Sequence, residues 1–301
     1  MASAKQQSEN ISPELGDQRS VFRKAFDLVR NHGLGATGAI IILSMVIMAA
    51  LATYLAPHDP ELNNFASMHV APNAIYWLGT DQFGRDLLSR LIYGAQTALF
   101  VGFIAAFSGA TTGLVLGVTS AYLGGTFDLV FQRFIDVLIA FPTIIIALTM
   151  VAIFGTELHH VIIAISIPFI PDAARIVRSN ALQIRQIAFV DAARALGFSN
   201  RRIILRHMLP NVMAPYLVIL TANIGQAILL EASLSYLGLG VQEPTPSWGL
   251  MLQGGAEEYA ESAPWIAFFP GLAITLAVFG FNLFGDAVRD ALDPKLRQQQ
   301  S

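Results

Sequence analysis

Five runs of this sequence contain no aspartate, glutamate, lysine or arginine: Gly33–Pro57, Leu91–Phe127, Val137–Thr156, Met208–Leu230 and Ser262–Gly285. Each is long enough for a helix to cross a hydrocarbon core, which takes about 20 apolar residues. In lipid the backbone must satisfy its own hydrogen bonds, so runs of this length select helices. A sixth run, Leu158–Pro171, is shorter and is expected to continue as an amphipathic inner end through Asp172, Arg175 and Arg178, bent by Pro168 and Pro171. The expected fold is therefore an all-α integral membrane protein with six transmembrane helices. Charged residues make up only 13% of the 301, about half the usual share of a soluble domain.

Lysine and arginine placement orients the bundle. With the N-terminus inside, the outer loops (57–92, 156–160 and 238–263) hold only Arg85 and Arg90 of the 18 basic residues. The same loops are rich in Asp and Glu. Both termini are thus expected in the cytoplasm. The expected boundaries are a cytoplasmic tail (1–32), a first span (33–57), an outer loop with an interfacial helix (58–93), a core of five spans (94–288) and a C-terminal tail (289–301).

Several function classes are disfavoured. The net charge of −3 suggests no nucleic-acid partner, and the absence of cysteine removes thiolate chemistry and Cys-ligated metal. No lysine follows the glycine pattern of a phosphate-wrapping loop, so the chain is not expected to hydrolyse ATP. His159–His160 is a vicinal pair in a short outer loop without HExxH spacing, and reads as interfacial. No cofactor or metal is expected. Within the spans, only Asp136 and Glu231 lie away from the ends, and both read as boundary residues rather than a proton relay. That argues against a secondary transporter or channel working alone, as does the lack of an obvious internal repeat.

Three other stretches carry local signals. Gly109, Gly113 and Gly117 form a ladder that lets helices approach closely. In 80–92, Thr80 or Asp81 can cap a helix bearing the stripe Phe83, Leu87, Leu88, Leu91 and Ile92, with Asp86 and Arg90 spaced for an i,i+4 ion pair. The loop LGLGVQEPTPSWG places Pro244, Pro246 and Trp248 where stiff backbone and an interfacial indole suit an outer gate or docking surface.

The stretch FVDAARALGFSNRRIILRHMLPN, residues 189–211, is basic and helical in pattern. Phe189, Ala192/Ala193 and Leu196 share a helical stripe, with Asp191 in the first turn. Gly197 is placed to end that helix in a left-handed conformation. Ser199 or Asn200 can cap a second helix carrying Arg201, Arg202 and Arg206. Pro210 then opens the next span. Such a segment is either a solvated inner loop or an elbow whose small alanines admit a partner to the backbone.

These residues resemble the EAA loop of bacterial ABC importer permeases, roughly EAAxxxG followed after about nine residues by IxLP. Asp191 stands for the glutamate, Ala192, Ala193 and Gly197 match, His207 takes the isoleucine position, and Leu209 and Pro210 match. LGTDQFGRDLLSRLIYGAQTAL (78–99), EASLSYLGLGVQEPTPSWGLML (231–252) and FNLFGDAVRDALDPKLR (281–297) resemble signatures of the C-type permeases of dipeptide, oligopeptide and nickel importers. The resemblance implies a type I importer permease fold with the elbow (188–208) as coupling helix between spans four and five. It also implies a heterodimer with a homologous permease, two ABC ATPase subunits, an extracytoplasmic binding protein and surrounding lipid. Asp191, Ala192, Ala193, Gly197, Arg201, Arg202, Leu209 and Pro210 would engage the ATPase. Dipeptides or short oligopeptides are the expected substrates, with nickel or a nickel chelate as the alternative.

Overall fold

A computed structural model describes residues 33–256, 259 and 261–292. The tail expected at 1–32 and residues 293–301 lie outside it. Apart from a single turn at Ala52–Leu55, the α-helices among the described residues are α1 (Gly33–Ala50), α2 (Leu87–Leu123), α3 (Gly125–Ile139), α4 (Thr143–Phe154), α5 (Leu158–Ser166), α6 (Phe169–Arg185), α7 (Ala188–Ala195), α8 (Asn200–Ile203), α9 (Met213–Tyr236), α10 (Trp248–Ala256) and α11 (Trp265–Leu292). Among the described residues, five segments are long and apolar enough to cross a membrane: α1, α2, α5 with α6, α8 through α9, and α11.

The sixth crossing differs from expectation. The run Val137–Thr156 is not one straight span, because α3 and α4 meet at 90°. Pro142 sits at the break, where it supplies no N–H, and its carbonyl accepts from Ile145 and Ile146 to open α4. Conversely, the short run at Leu158 continues with only a local break at Ile167–Pro168 into α6, so Leu158–Arg185 passes as a single apolar segment. Pro168 occupies the N-cap position of α6, where its missing N–H costs nothing.

The centre of the bundle is α2, which packs along α6, α9, α5 and α1. Its glycine ladder faces α5 and α6. A β-carbon on Gly109 would lie 2.5 Å from the Ser166 carbonyl oxygen, on Gly113 2.6 Å from Ala173 Cβ, and on Gly117 2.5 Å from the Ala174 carbonyl oxygen. The ladder thus serves packing within the chain, where close backbone approach drives association in lipid. Across the same seam, Arg178 grips Asp128 of α3 with two nitrogens, one at 2.6 Å, and Ser120 Oγ also donates to that carboxylate. Arg175 pairs with Asp136, so α3 is tied to α6 by two ion pairs.

Two apolar cores result. One gathers Val101, Ala105, Ile165, Ile228, Leu234 and Trp248 towards the N-terminal end of α2. The second gathers Leu114, Val118, Val177, Val190, Ile203 and Met208 towards its C-terminal end. The helices connecting these cores define two opposite ends of the molecule, and each end carries a polar feature described below.

The interfacial helix expected over 80–92 is absent. Residues 80–86 form a tight reversal closed by a bridge between Thr80 and Asp86, and Leu87–Ile92 are the first turns of α2. Neither Thr80 nor Asp81 caps that helix. Asp86 does, accepting from Ser89 N at 2.9 Å and Ser89 Oγ at 2.6 Å. Both of these bonds go to Oδ2, and Asp86 does not pair with Arg90, whose guanidinium turns instead to Pro60 and Glu243.

Candidate functional site

The elbow begins where α6 ends at Arg185. Asp191 lies in the first turn of α7 and Arg194 in its last, and the two pair at 3.3 Å. Gly197 has φ +76°, Phe198 N donates to Ala193 O at 3.1 Å and Gly197 N donates to Arg194 O at 2.9 Å. That pair of bonds is a Schellman closure, and glycine alone adopts its left-handed position without strain. Open space surrounds Gly197, so the constraint is on backbone, not volume. Ser199 accepts from Arg202 N and thereby caps α8.

After Ile203 the helix widens into a π turn over Ile204–Met208, then tightens to a 3₁₀ turn over Leu209–Val212. Pro210 falls inside this tightened turn, before α9 starts at Met213. The wide turn, in which Leu209 N reaches Ile204 O, matches a single-turn bulge of the kind found at functional positions.

The paired alanines do not act together. Val190 and Ala193 are buried with Ile203, Met208 and Val212 in the second core. Ala192 is exposed on the opposite face, with Asp191, Arg201, Arg202 and Pro210. Leu209 is part-buried against the core. The exposed face also holds uncovered apolar side chains: Leu196 is 73% exposed and Leu205 50%. Aromatic contacts fix the elbow to the bundle. Tyr122, at the end of α2, donates to Asn200 Oδ1 at 2.7 Å, and its ring lies 5.1 Å below the Arg194 guanidinium. Arg202 covers Phe198 at 4.1 Å, and Phe198 stacks on His207.

At the other end, Arg85 and Arg90 meet an acidic side chain that the sequence pattern did not single out. Arg85 donates to both oxygens of Glu243, at 2.6 and 3.0 Å, and from Nε to Asp81 at 2.6 Å. Arg90 donates to Pro60 O at 3.0 Å and reaches Glu243 at 3.3 Å. Burial pulls the Arg85 pKa down, but the bonds and charges of Glu243 and Asp81 outweigh it and leave it raised. Burial likewise pushes Glu243 up, while Arg85 and Arg90 outweigh it and hold its carboxyl below the ordinary value. The signal in the sequence was an exception: these two arginines are the ones that break the inside-positive distribution, beside the acid of QEPTP.

Of the three residues singled out in this loop, Pro244 is exposed and Pro246 is buried. Trp248 is 1% exposed and so offers no surface for docking. Its Nε1 donates to Leu91 O at 2.9 Å, and its ring fills the space left by Gly94, where a β-carbon would stand 2.5 Å from Cδ1. Glu231 is also not at an interface. It is 1% exposed and accepts from Ser235 and Ser247 at 2.7 and 2.8 Å, pinning the loop to α9. Thr97 Oγ1 adds a bond to Pro246 O at 2.8 Å. The loop 241–248 is therefore bound to α2 and α9 by polar contacts on both sides.

A helical bundle with an elbow between its fourth and fifth crossings is the architecture of an ABC importer permease. The inward-facing MetNI methionine ABC transporter shares this fold, with a TM-score of 0.56 over 69% of this chain and 98% of that one, at 18% identity. Residues 113–298 match the family described as binding-protein-dependent transport system inner membrane component, and residues 20–72 match the N-terminal TM domain of oligopeptide transport permease C. The chain belongs to the binding-protein-dependent transport system inner membrane component family. It is 42% identical over 96% of its length to the dipeptide transport system permease protein DppC of Alkalihalophilus pseudofirmus, of which it covers 96%. It is 45% identical to the glutathione transport system permease protein GsiD of Shigella flexneri and 42% identical to that of Escherichia coli O6:K15:H31, covering 89% of this chain and 88% of each relative. Members of the family are multi-pass inner-membrane subunits, distinct from the ATPases and binding proteins with which such permeases work.

Proposed function

We propose that this chain forms one half of a transmembrane pathway for dipeptides, short oligopeptides or a peptide conjugate such as glutathione. A homologous permease would supply the other half, two ATPase subunits would seat the elbows on the cytoplasmic side, and an extracytoplasmic binding protein would deliver the solute. The names of the relatives support the substrate class. The elbow sits at the basic end, and the inside-positive distribution favours that end in the cytoplasm, with the Arg85–Glu243 cluster outside.

The observation that carries this reading is the two-faced elbow. Its inner face, Val190 and Ala193, belongs to the bundle core, while Leu196, Ala192 and the arginines remain uncovered. An apolar side chain surrounded by charge on a fixed scaffold is the form of a protein interface. A partner that closes on ATP binding would move this surface, and the core behind it would carry the motion into α2, α6 and α9. Asp191 and the arginines would steer the docking, and Gly197 would hold the reversal between the two short helices.

The test is uptake by the complete transporter reconstituted in liposomes, with ATPase-subunit association measured in parallel. Leu196→Glu should release the ATPase subunits and lower uptake at least tenfold while the chain still inserts. Unchanged association and uptake would remove the elbow from the coupling role. Gly197→Val should do the same through the backbone, and Gly197→Asn, which tolerates the left-handed region, should retain most uptake.

A further inference from the structure

The turn joining α4 to α5 brings together three groups with no part in the elbow or the outer cluster. The turn is made by Gly155, at φ +96°, whose N–H returns to Val151 O at 2.8 Å. The chain then reverses, and α5 opens with Glu157 at its N-cap. Glu157 makes no side-chain cap bond. Its carboxylate instead lies beside the two imidazoles that follow: Glu157 Oε2 is 3.4 Å from His159 Nδ1, and the two rings stand 4.0 Å apart, tilted at 52°. One donor atom from each of Glu157, His159 and His160 falls within 4.8 Å of the others.

A second observation concerns one of the same residues. His160 Nδ1 is buried beside the Gly155 turn and has no hydrogen-bond partner among the described residues, whereas Glu157 and His159 are exposed. A buried polar atom without a partner is costly, so a native structure usually supplies one. Neither Glu157 nor His159 supplies one here, and the Glu157 carboxylate makes no helix cap bond.

From this geometry we propose that Glu157, His159 and His160 bind a divalent transition-metal ion of borderline softness, Zn²⁺ or Ni²⁺ in type. Two imidazoles and a carboxylate suit such ions, whereas Mg²⁺ and Ca²⁺ prefer oxygen alone. Bonds of about 2.0–2.2 Å to nitrogen and oxygen place tetrahedral ligands about 3.4 Å apart, the separation found between Glu157 and His159. The ion would take one ring nitrogen of His160 and fasten the α4–α5 turn. Glu157 also lines a cleft of about 540 Å³ with Gln96, Thr97, Phe100, Val241 and Gln242. With three protein ligands, a fourth coordination position stays open for water or for a donor group of a solute in that cleft. The site stands independently of the substrate proposed above.

The test uses the full chain, purified in lipid nanodiscs with its affinity tag removed, titrated with Zn²⁺ by calorimetry and with Co²⁺ by visible absorption. One ion per chain is expected, with the intense absorption of four-coordinate Co²⁺. Glu157→Gln should weaken binding more than about tenfold, and the double variant His159→Ala/His160→Ala should abolish it, while His32→Ala leaves it unchanged. Absence of saturable binding by the unaltered chain overturns the proposal. So does one-to-one binding that survives the double variant. These outcomes do not depend on uptake, so they are separate from the test of the transport reading.

Discussion

Arg85 holds both carboxylate oxygens of Glu243 across 158 residues of sequence, at 2.6 and 3.0 Å. The side chain of Arg85 is 5% exposed and that of Glu243 39%, so the arginine depends on the pair more than the glutamate does. Arg85→Ala leaves the buried Asp81 with only backbone donors and the more distant Arg90, 3.7 Å away. Breaking a buried pair from one side costs about 3–5 kcal/mol, and thermal unfolding of the purified chain should show a clear fall in midpoint. Glu243→Gln, which leaves Arg85 its bond to Asp81, should cost less. Equal losses would show that the two sides contribute alike.

Acid should act on the same pair. The folded pKa of Glu243 lies below its ordinary 4.5, so its contribution is complete above that value. It is lost as pH falls through the lowered folded value, where the folded carboxylate finally protonates. A midpoint-versus-pH series should therefore decline on the acid side, and Glu243→Gln should flatten part of that decline. A slope identical in the two proteins would assign the acid sensitivity elsewhere.

Gly94 and Trp248 form a fitted contact. A methyl group on Gly94 would stand 2.5 Å from Cδ1 and 2.6 Å from Nε1, so Gly94→Ala must displace the indole and its bond to Leu91 O. Overpacking of this kind costs about 1–3 kcal/mol. Trp248→Phe in the unaltered background should lose the N–H bond, about 1 kcal/mol. In a double-mutant cycle the two changes should be non-additive, and additive losses would mean that the contact does not couple them.

In the glycine ladder, Gly113→Leu has no escape, because Ala173 Cβ and the Ile170 carbonyl oxygen stand 2.6 and 2.7 Å from the added β-carbon. The expected result is loss of folded chain from detergent extracts, read by size-exclusion chromatography. Gly125→Ala has open space around it but sits at φ +58°, so only backbone strain, about 1 kcal/mol, should register. A ladder variant that behaves like Gly125→Ala would show that α2 and α6 can move apart.

The apolar runs and the elbow were legible because both are written locally. Charge-free length identifies a span, and Gly197 followed by Ser199 spells out a helix end and a new start. What escaped was decided by partners far away in sequence. Asp86 and Arg90 have the spacing of a helical ion pair, yet Asp86 is occupied as a cap by Ser89 and Arg90 turns to Glu243 and Pro60. Trp248 looked interfacial because indoles often are. The deletion of a side chain at Gly94 that buries it lies more than 150 positions earlier. The run through Pro142 read as one span, and the ion pairs of Arg175 and Arg178 with α3, on the far side of the 90° bend, join residues well apart in sequence. The elbow alanines show the same limit at short range: pattern placed both on one stripe, and packing put one on each side.

The length of α2 has a mechanical meaning. It runs unbroken for 37 residues, about 55 Å, well beyond the hydrocarbon thickness. Tyr122 near one end grips the elbow through Asn200, and near the other Leu91 and Arg90 grip the loop at Trp248 and Glu243. Asn200 and Glu243 are thus joined through one unbroken helix with no hinge between them, so if the elbow moves as proposed, that helix is the single pushrod linking the two ends of the bundle.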